Sequence, residues 1–233
     1  MSLRGKVFSY PESFRSLKIL IAAKYGDHDL SLDPGFVFGQ TNLSKEWLAK
    51  FPMGKVPGVE LSDGQTLDES NSAAWLLCPD NMTGSGDKNT QSSILRWISL
   101  ADLEVTPASC NWVYPKAGLM PASPDMERGR ADLLRFLTWL NTELRLRTWL
   151  VGERITLADI SLMSSLLLVF NNKALLDMGE ELPHVTRWYN TVINQTNVKS
   201  VLNGVNLELK ASTQNIKKGG GAPAGECLSD FSV

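Results

Sequence analysis

The spacing of apolar positions changes once along this chain, near residue 80. Before that point strand-like and helical spacings alternate; after it the period is helical. Lys6 to Tyr10 predicts a short strand, stopped by Pro11. A helix follows, because Phe14, Leu17, Leu20, Ile21 and Ala22-Ala23 build one apolar face. Ser13 stands at its mouth as an N-cap, where a hydroxyl accepts from an orphan backbone N–H. The stretch from Gly26 to Asn42 is rich in Gly, Asp and Pro, with one strand expected at Phe36-Val37-Phe38. Ser44 to Lys50 predicts a short helix. Val56 to Leu61, the turn Ser62-Asp63-Gly64 and Gln65 to Leu67 read as a hairpin. Glu69 to Leu77 is helical again. The order up to Cys78 is therefore β-α-β-α-β-β-α.

Pro79 to Asp87 is polar and Gly-rich, the composition of a linker. Beyond it Ile94, Trp97, Ile98, Ala101 and Val105 mark one helical face, as do Leu133, Phe136, Leu137, Leu140 and Leu144, and then Val185, Trp188, Tyr189 and Val192. These are core faces of packed helices, and their aromatics need no cofactor to explain them. The expected organisation is an α/β domain over residues 1–80, a linker over 81–88, an all-helical domain over 89–208 and a disordered tail over 209–233.

Charge narrows the functions. With 23 basic and 25 acidic residues the formal net charge is −2, so no overall field favours nucleic acid as a partner. The three cysteines, Cys78, Cys110 and Cys227, form no CxxC and no close Cys/His pair, so we expect reduced thiols and neither a zinc site nor a disulfide framework. His28 and His184 are the only histidines and are expected to be structural or surface residues. The longest apolar runs are too short to cross a bilayer and no secretory leader is visible, so a cytoplasmic protein without membrane contact is expected.

Three local signals carry chemistry or architecture. In Ile155-Thr156-Leu157-Ala158-Asp159-Ile160, Thr156 is placed to accept from the Asp159 N–H while the Asp159 carboxylate reaches back to the Thr156 N–H. Ile155 and Ile160 form the hydrophobic staple of that capping box. In Lys55-Val56-Pro57 the proline opens a strand; a cis bond there makes a fixed turn, and the sequence leaves the isomer open. In Asp68-Glu69-Ser70 a hydroxyl and backbone N–H groups at a helix start suit a carboxylate, with Glu69 suited to an ammonium group. A plain helix cap at Asp68 or Ser70 has the same appearance.

Taken in this order, the three signals resemble the glutathione transferase superfamily: a thioredoxin-like α/β half followed by an all-helical half. Phe51-Pro52-Met53-Gly54-Lys55-Val56-Pro57 looks like its cis-proline segment, Glu69-Ser70 like its glutamyl-binding pair, and Thr156-Leu157-Ala158-Asp159 like its capping box. Within the superfamily, Phe38-Gly39-Gln40-Thr41-Asn42, Leu150-Val151-Gly152-Glu153-Arg154 and Thr186-Arg187-Trp188-Tyr189 are similar to the gamma subunits of translation elongation factor 1. That resemblance implies a scaffold domain that binds the nucleotide-exchange subunit and other subunits of that complex. A related domain fronts some valyl-tRNA synthetases, which makes such a synthetase another possible partner. It also implies a GST-like dimer, and no cofactor, with glutathione as substrate or ligand. Such subunits continue through a Lys-rich linker into a further domain, of which Lys217-Lys218-Gly219 is expected to be the start. The alternative function is glutathione conjugation. The superfamily implies Ser13 as the hydroxyl that stabilises the thiolate, with Tyr10 as a second candidate. Asn42, Lys55, Val56, Glu69 and Ser70 would bind glutathione, Asn42 standing where the family often has histidine. Pro57, Thr156 and Asp159 are the structural residues.

Overall fold

A computed structural model of the chain describes residues 2–116, 121–122, 124–171 and 181–205. Alternation builds the first half. Val7, Val59 and Leu61 point into the core, while Arg4, Lys6 and Glu60 point to the opposite face of the sheet. Strand β1 (Arg4–Phe8) pairs in parallel with β2 (Asp29–Leu32) and antiparallel with β3 (Gly58–Leu61), which pairs antiparallel with β4 (Thr66–Leu67). The strand order is β2-β1-β3-β4. Helix α1 (Phe14–Tyr25) crosses between β1 and β2, α2 (Lys45–Lys50) precedes β3, and α3 (Ser70–Leu77) follows β4 and packs against α1.

The expected element order is present, with one correction. The second strand is Asp29–Leu32 and not Phe36-Val37-Phe38. Phe36 instead turns inward from a loop and packs its ring against Trp47, 5.7 Å between centroids. The first strand also begins two residues earlier than expected, at Arg4, and ends at Phe8.

The second half is helical: α4 (Lys88–Leu100), α5 (Thr106–Lys116), α6 (Met126–Glu143), α7 (Leu157–Asn171), α8 (Pro183–Ile193) and α9 (Thr196–Leu202). A single π-helical turn, Ala101–Val105, joins α4 to α5, and the Thr106 hydroxyl donates to the Ala101 carbonyl at 2.9 Å. Ile94, Trp97, Ile98, Ala101 and Val105 are all buried, as the spacing predicts. Helix α7 is buried along nearly its whole length and packs against α1, α3, α4, α5 and α8. One apolar cluster runs through both halves, from Leu17, Ile21 and Leu77 to Leu137, Leu166 and Trp188. Gly129 lets α6 approach α5 closely, since a Cβ there would lie 2.9 Å from the Ala108 carbonyl oxygen.

The capping box forms in part. The Asp159 carboxylate accepts from the Thr156 N–H at 2.9 Å, but the Thr156 hydroxyl donates to that carboxylate at 3.2 Å and does not accept from the Asp159 N–H. Asp159 also accepts from Leu150 N–H at 3.0 Å and from the Trp188 indole at 2.9 Å. These donors favour the carboxylate, while complete burial pushes its pKa upward. Cys78 is a buried free thiol, and burial pushes it up to about 12. Cys110 corrects the expectation of reduced thiols, being disulfide-bonded. The tail expected to be disordered, 209–233, also lies outside them. Among the described residues, no helix is long and apolar enough to cross a membrane.

Candidate functional site

Topology gathers three segments at one end of the sheet. Strand β1 ends at Phe8, opposite Gly58 at the start of β3, so the turn into α1 lies beside Val56-Pro57. That peptide bond is cis. The β3–β4 hairpin then delivers Glu69-Ser70 to the start of α3, alongside α1.

Ser13 is fully buried and caps α1: its hydroxyl accepts from the Ser16 N–H at 3.4 Å. Tyr10 is half-buried, with its ring edge-on to Phe38 at 5.8 Å and its side chain against the cluster of Trp47, Phe51 and Val56. Asn42 is buried, and both ends of its amide are engaged by the loop. It accepts from Gly39 N–H at 2.7 Å and donates to the Gly54 carbonyl at 2.8 Å. Val56 and Pro57 are buried, whereas Lys55 is exposed.

Ser70 is buried in the first turn of α3, and Glu69 is exposed just before it. Glu69 has φ +56 and ψ 104, left-handed backbone on a residue with a Cβ, and its side chain makes no cap bond. Such a conformation costs on the order of 1–2 kcal/mol and is held by the surrounding structure. It leaves the carboxylate in solvent, free to meet a cation.

Sequence reasoning missed the polar network directly beneath. Lys18 is buried within α1, and its ammonium donates to the Asn71 side-chain carbonyl. Asn71 in turn donates to Asp102 at 3.3 Å, and the Arg15 guanidinium donates to the other Asp102 oxygen at 3.3 Å. Burial lowers the Lys18 pKa to about 8, against the upward pull of Asp102; Arg15 lowers it further and Glu69 raises it. The signal was in the sequence: Lys18 falls at i+4 from Phe14 and i−3 from Ile21, inside the apolar face of the helix.

His28 does structural work through its ring, and His184 is engaged through its backbone. His28 accepts from Leu3 N–H at 3.2 Å, and burial lowers its pKa. The His184 N–H donates to Asn141 at 2.9 Å, where Asn141 serves as a cap for α8. Among the described residues no group of His, Cys, Asp and Glu could hold a metal ion.

Known proteins share this fold. Residues 105–196 match the glutathione S-transferase C-terminal domain family. Elongation factor 1-gamma of Artemia salina is 40% identical over 92% of this chain and 50% of its own length. The Drosophila melanogaster protein of that name is 40% identical over 93% and 50%, and the Danio rerio one 40% over 92% and 49%. The chain thus spans about half the length of the curated relatives it matches. Among solved structures, glutathione S-transferase I bound with lactoylglutathione superposes with a TM-score of 0.74 at 20% identity, covering 85% of this chain and 98% of that one. Glutathione transferase F7 from Populus trichocarpa gives 0.75 at 22%, covering 87% and 99%.

Proposed function

We propose that this chain, about 40% identical to elongation factor 1-gamma proteins and built on the glutathione transferase fold, is a scaffold module of the cytoplasmic elongation machinery, holding the nucleotide-exchange subunit. The identity of about 40%, spread over both halves of the chain, carries the reading. The site supports it. A hydroxyl that stabilises a bound thiolate must meet solvent or ligand, and Ser13 is enclosed as a helix cap. Asn42 spends its amide on its own loop. Affinity-tagged protein expressed in its own cells should recover elongation factor 1 subunits. Recovery of none of them, with the tag accessible, sinks the scaffold reading.

The second reading is glutathione conjugation with Ser13 as the thiolate stabiliser. The exposed Glu69 carboxylate in a strained turn before Ser70 favours it, because that arrangement suits the two charged ends of an amino-acid head group. Here Ser13→Ala should cut the conjugation rate with an aromatic electrophile at least about tenfold while leaving the circular dichroism spectrum unchanged. A parent protein no faster than the uncatalysed reaction removes this reading.

A further inference from the structure

The first strand enters the sheet against a side chain. The Leu3 carbonyl accepts from the Asp29 N–H at 2.8 Å, an ordinary backbone rung leading into the β1–β2 ladder. One rung further out the neighbouring backbone has turned away. Asp27 has φ +56, and its carbonyl accepts from the Ser2 hydroxyl at 2.7 Å. The Leu3 N–H is left to the imidazole of His28, whose Nδ1 accepts it at 3.2 Å. The His28 N–H itself donates to the Ala23 carbonyl at 2.9 Å, which fixes this residue to the end of α1. Its half-buried ring lies against Gly26, where a Cβ would come within 2.9 Å of the ring atoms Cδ2 and Nε2. That contact closes one side to any swing of the ring. A ring nitrogen that accepts carries no proton, so this rung exists only for neutral His28 with its proton on Nε2. Protonation sets an N–H at Nδ1 against the Leu3 N–H, donor facing donor.

We propose that His28 is an acid-sensitive clasp: neutral, it holds Ser2 and the Leu3 amide to the sheet, and protonated, it lets them go while the rest of the fold stays closed. The rungs from Arg4 to Val7 run backbone to backbone and carry no titrating group, so release stops there. Burial is the largest cause that lowers the His28 pKa below the ordinary 6.5; the positive amino terminus lowers it too, and Asp27 raises it. Lys24 of α1 and Asp29 of β2 line the same groove of about 280 Å³, into which α9 brings the uncharged Ser200 and Val201. Asp29 is paired with Arg4 of β1 at 4.0 Å. With the clasped pKa below that of a free histidine, the released state binds the proton more tightly. Falling pH therefore favours release, and rising pH restores the clasp.

Nuclear magnetic resonance on the isotope-labelled full chain, titrated from about pH 7.5 to about pH 5, reads the clasp directly. At the upper end the His28 ring should carry its proton on Nε2, and its titration midpoint should lie below 6.5. The Leu3 amide should shift with that midpoint and lose at least about fivefold of its protection, measured against the unstructured exchange rate at each pH. The Leu61 amide, bonded to the Gln65 carbonyl at 2.8 Å, should keep its own. His28→Asn sets an amide oxygen near the place of Nδ1 and cannot titrate, so its Leu3 amide should stay protected down to about pH 5. A proton on Nδ1 at the upper end overturns the proposal. So does a Leu3 amide indifferent to pH while His28 titrates, or acid release that persists in His28→Asn. Loss of Leu61 protection at the same midpoint also overturns it, because the acid transition would then be global.

Discussion

Lys18 sits between Leu17 and Ile19 on the buried side of α1, its ammonium bonded to a neutral amide and one residue removed from the nearest carboxylate. Burial therefore outweighs the attraction of Asp102, and the folded pKa of about 8 lies below the ordinary 10.5. Between those values the unfolded chain binds more protons, so stability rises with pH; below about pH 8 both states are protonated and the burial cost is present in full. From about pH 7.5 to about pH 9.5 the parent protein should gain roughly 2 kcal/mol in urea unfolding relative to Lys18→Met, which cancels the background titration of surface groups. Parallel stability curves would contradict this account. At the same scale, Ser13 was legible as a hydroxyl at a helix mouth, and its burial was not. Its enclosure is a property of the packed molecule, and no local pattern encodes that.

At the scale of elements, α7 shows how far a local rule reaches. The spacing of Thr156 and Asp159 fixed where the helix begins, but the carboxylate also ties down Leu150 from the preceding loop and Trp188 from α8. Asp159→Ala would strand those buried donors together, and we expect a loss of about 3–5 kcal/mol by denaturant titration. A loss below about 1 kcal/mol would mean that water replaces the carboxylate. Strand β2 marks where element reading failed. Asp29-Leu30-Ser31-Leu32 alternates with period two, yet only four residues long it was outweighed by the stronger strand composition of Phe36-Val37-Phe38. Tertiary context reversed the choice: Phe36 packs on Trp47, and Phe38 on Tyr10.

For the whole molecule, the change of period near residue 80 separates two halves in sequence that share one apolar core in space. Besides that core, Asp102 on the π-helical turn binds Arg15 of α1 and Asn71 of α3, tying the halves together by polar bonds. The Arg15–Asp102 side chains are partly exposed, so solvent screening keeps the pair modest. Asp102→Ala should cost about 1–2 kcal/mol and speed proteolytic cleavage in the segment joining the halves, residues 79–87. Unchanged cleavage would show that the apolar core alone sets the docking. The sequence by itself determined the element order, the helical faces, the helix caps and the resemblance that names the fold, because each rests on spacing within one or two turns of chain. Only the tertiary structure decided that Lys18 is buried, that Ser13 is enclosed, that Asn42 is spent on its own loop and that β2 lies at the edge of the described sheet. Those facts depend on groups far apart in sequence, whose meeting is settled when the two halves close on one core.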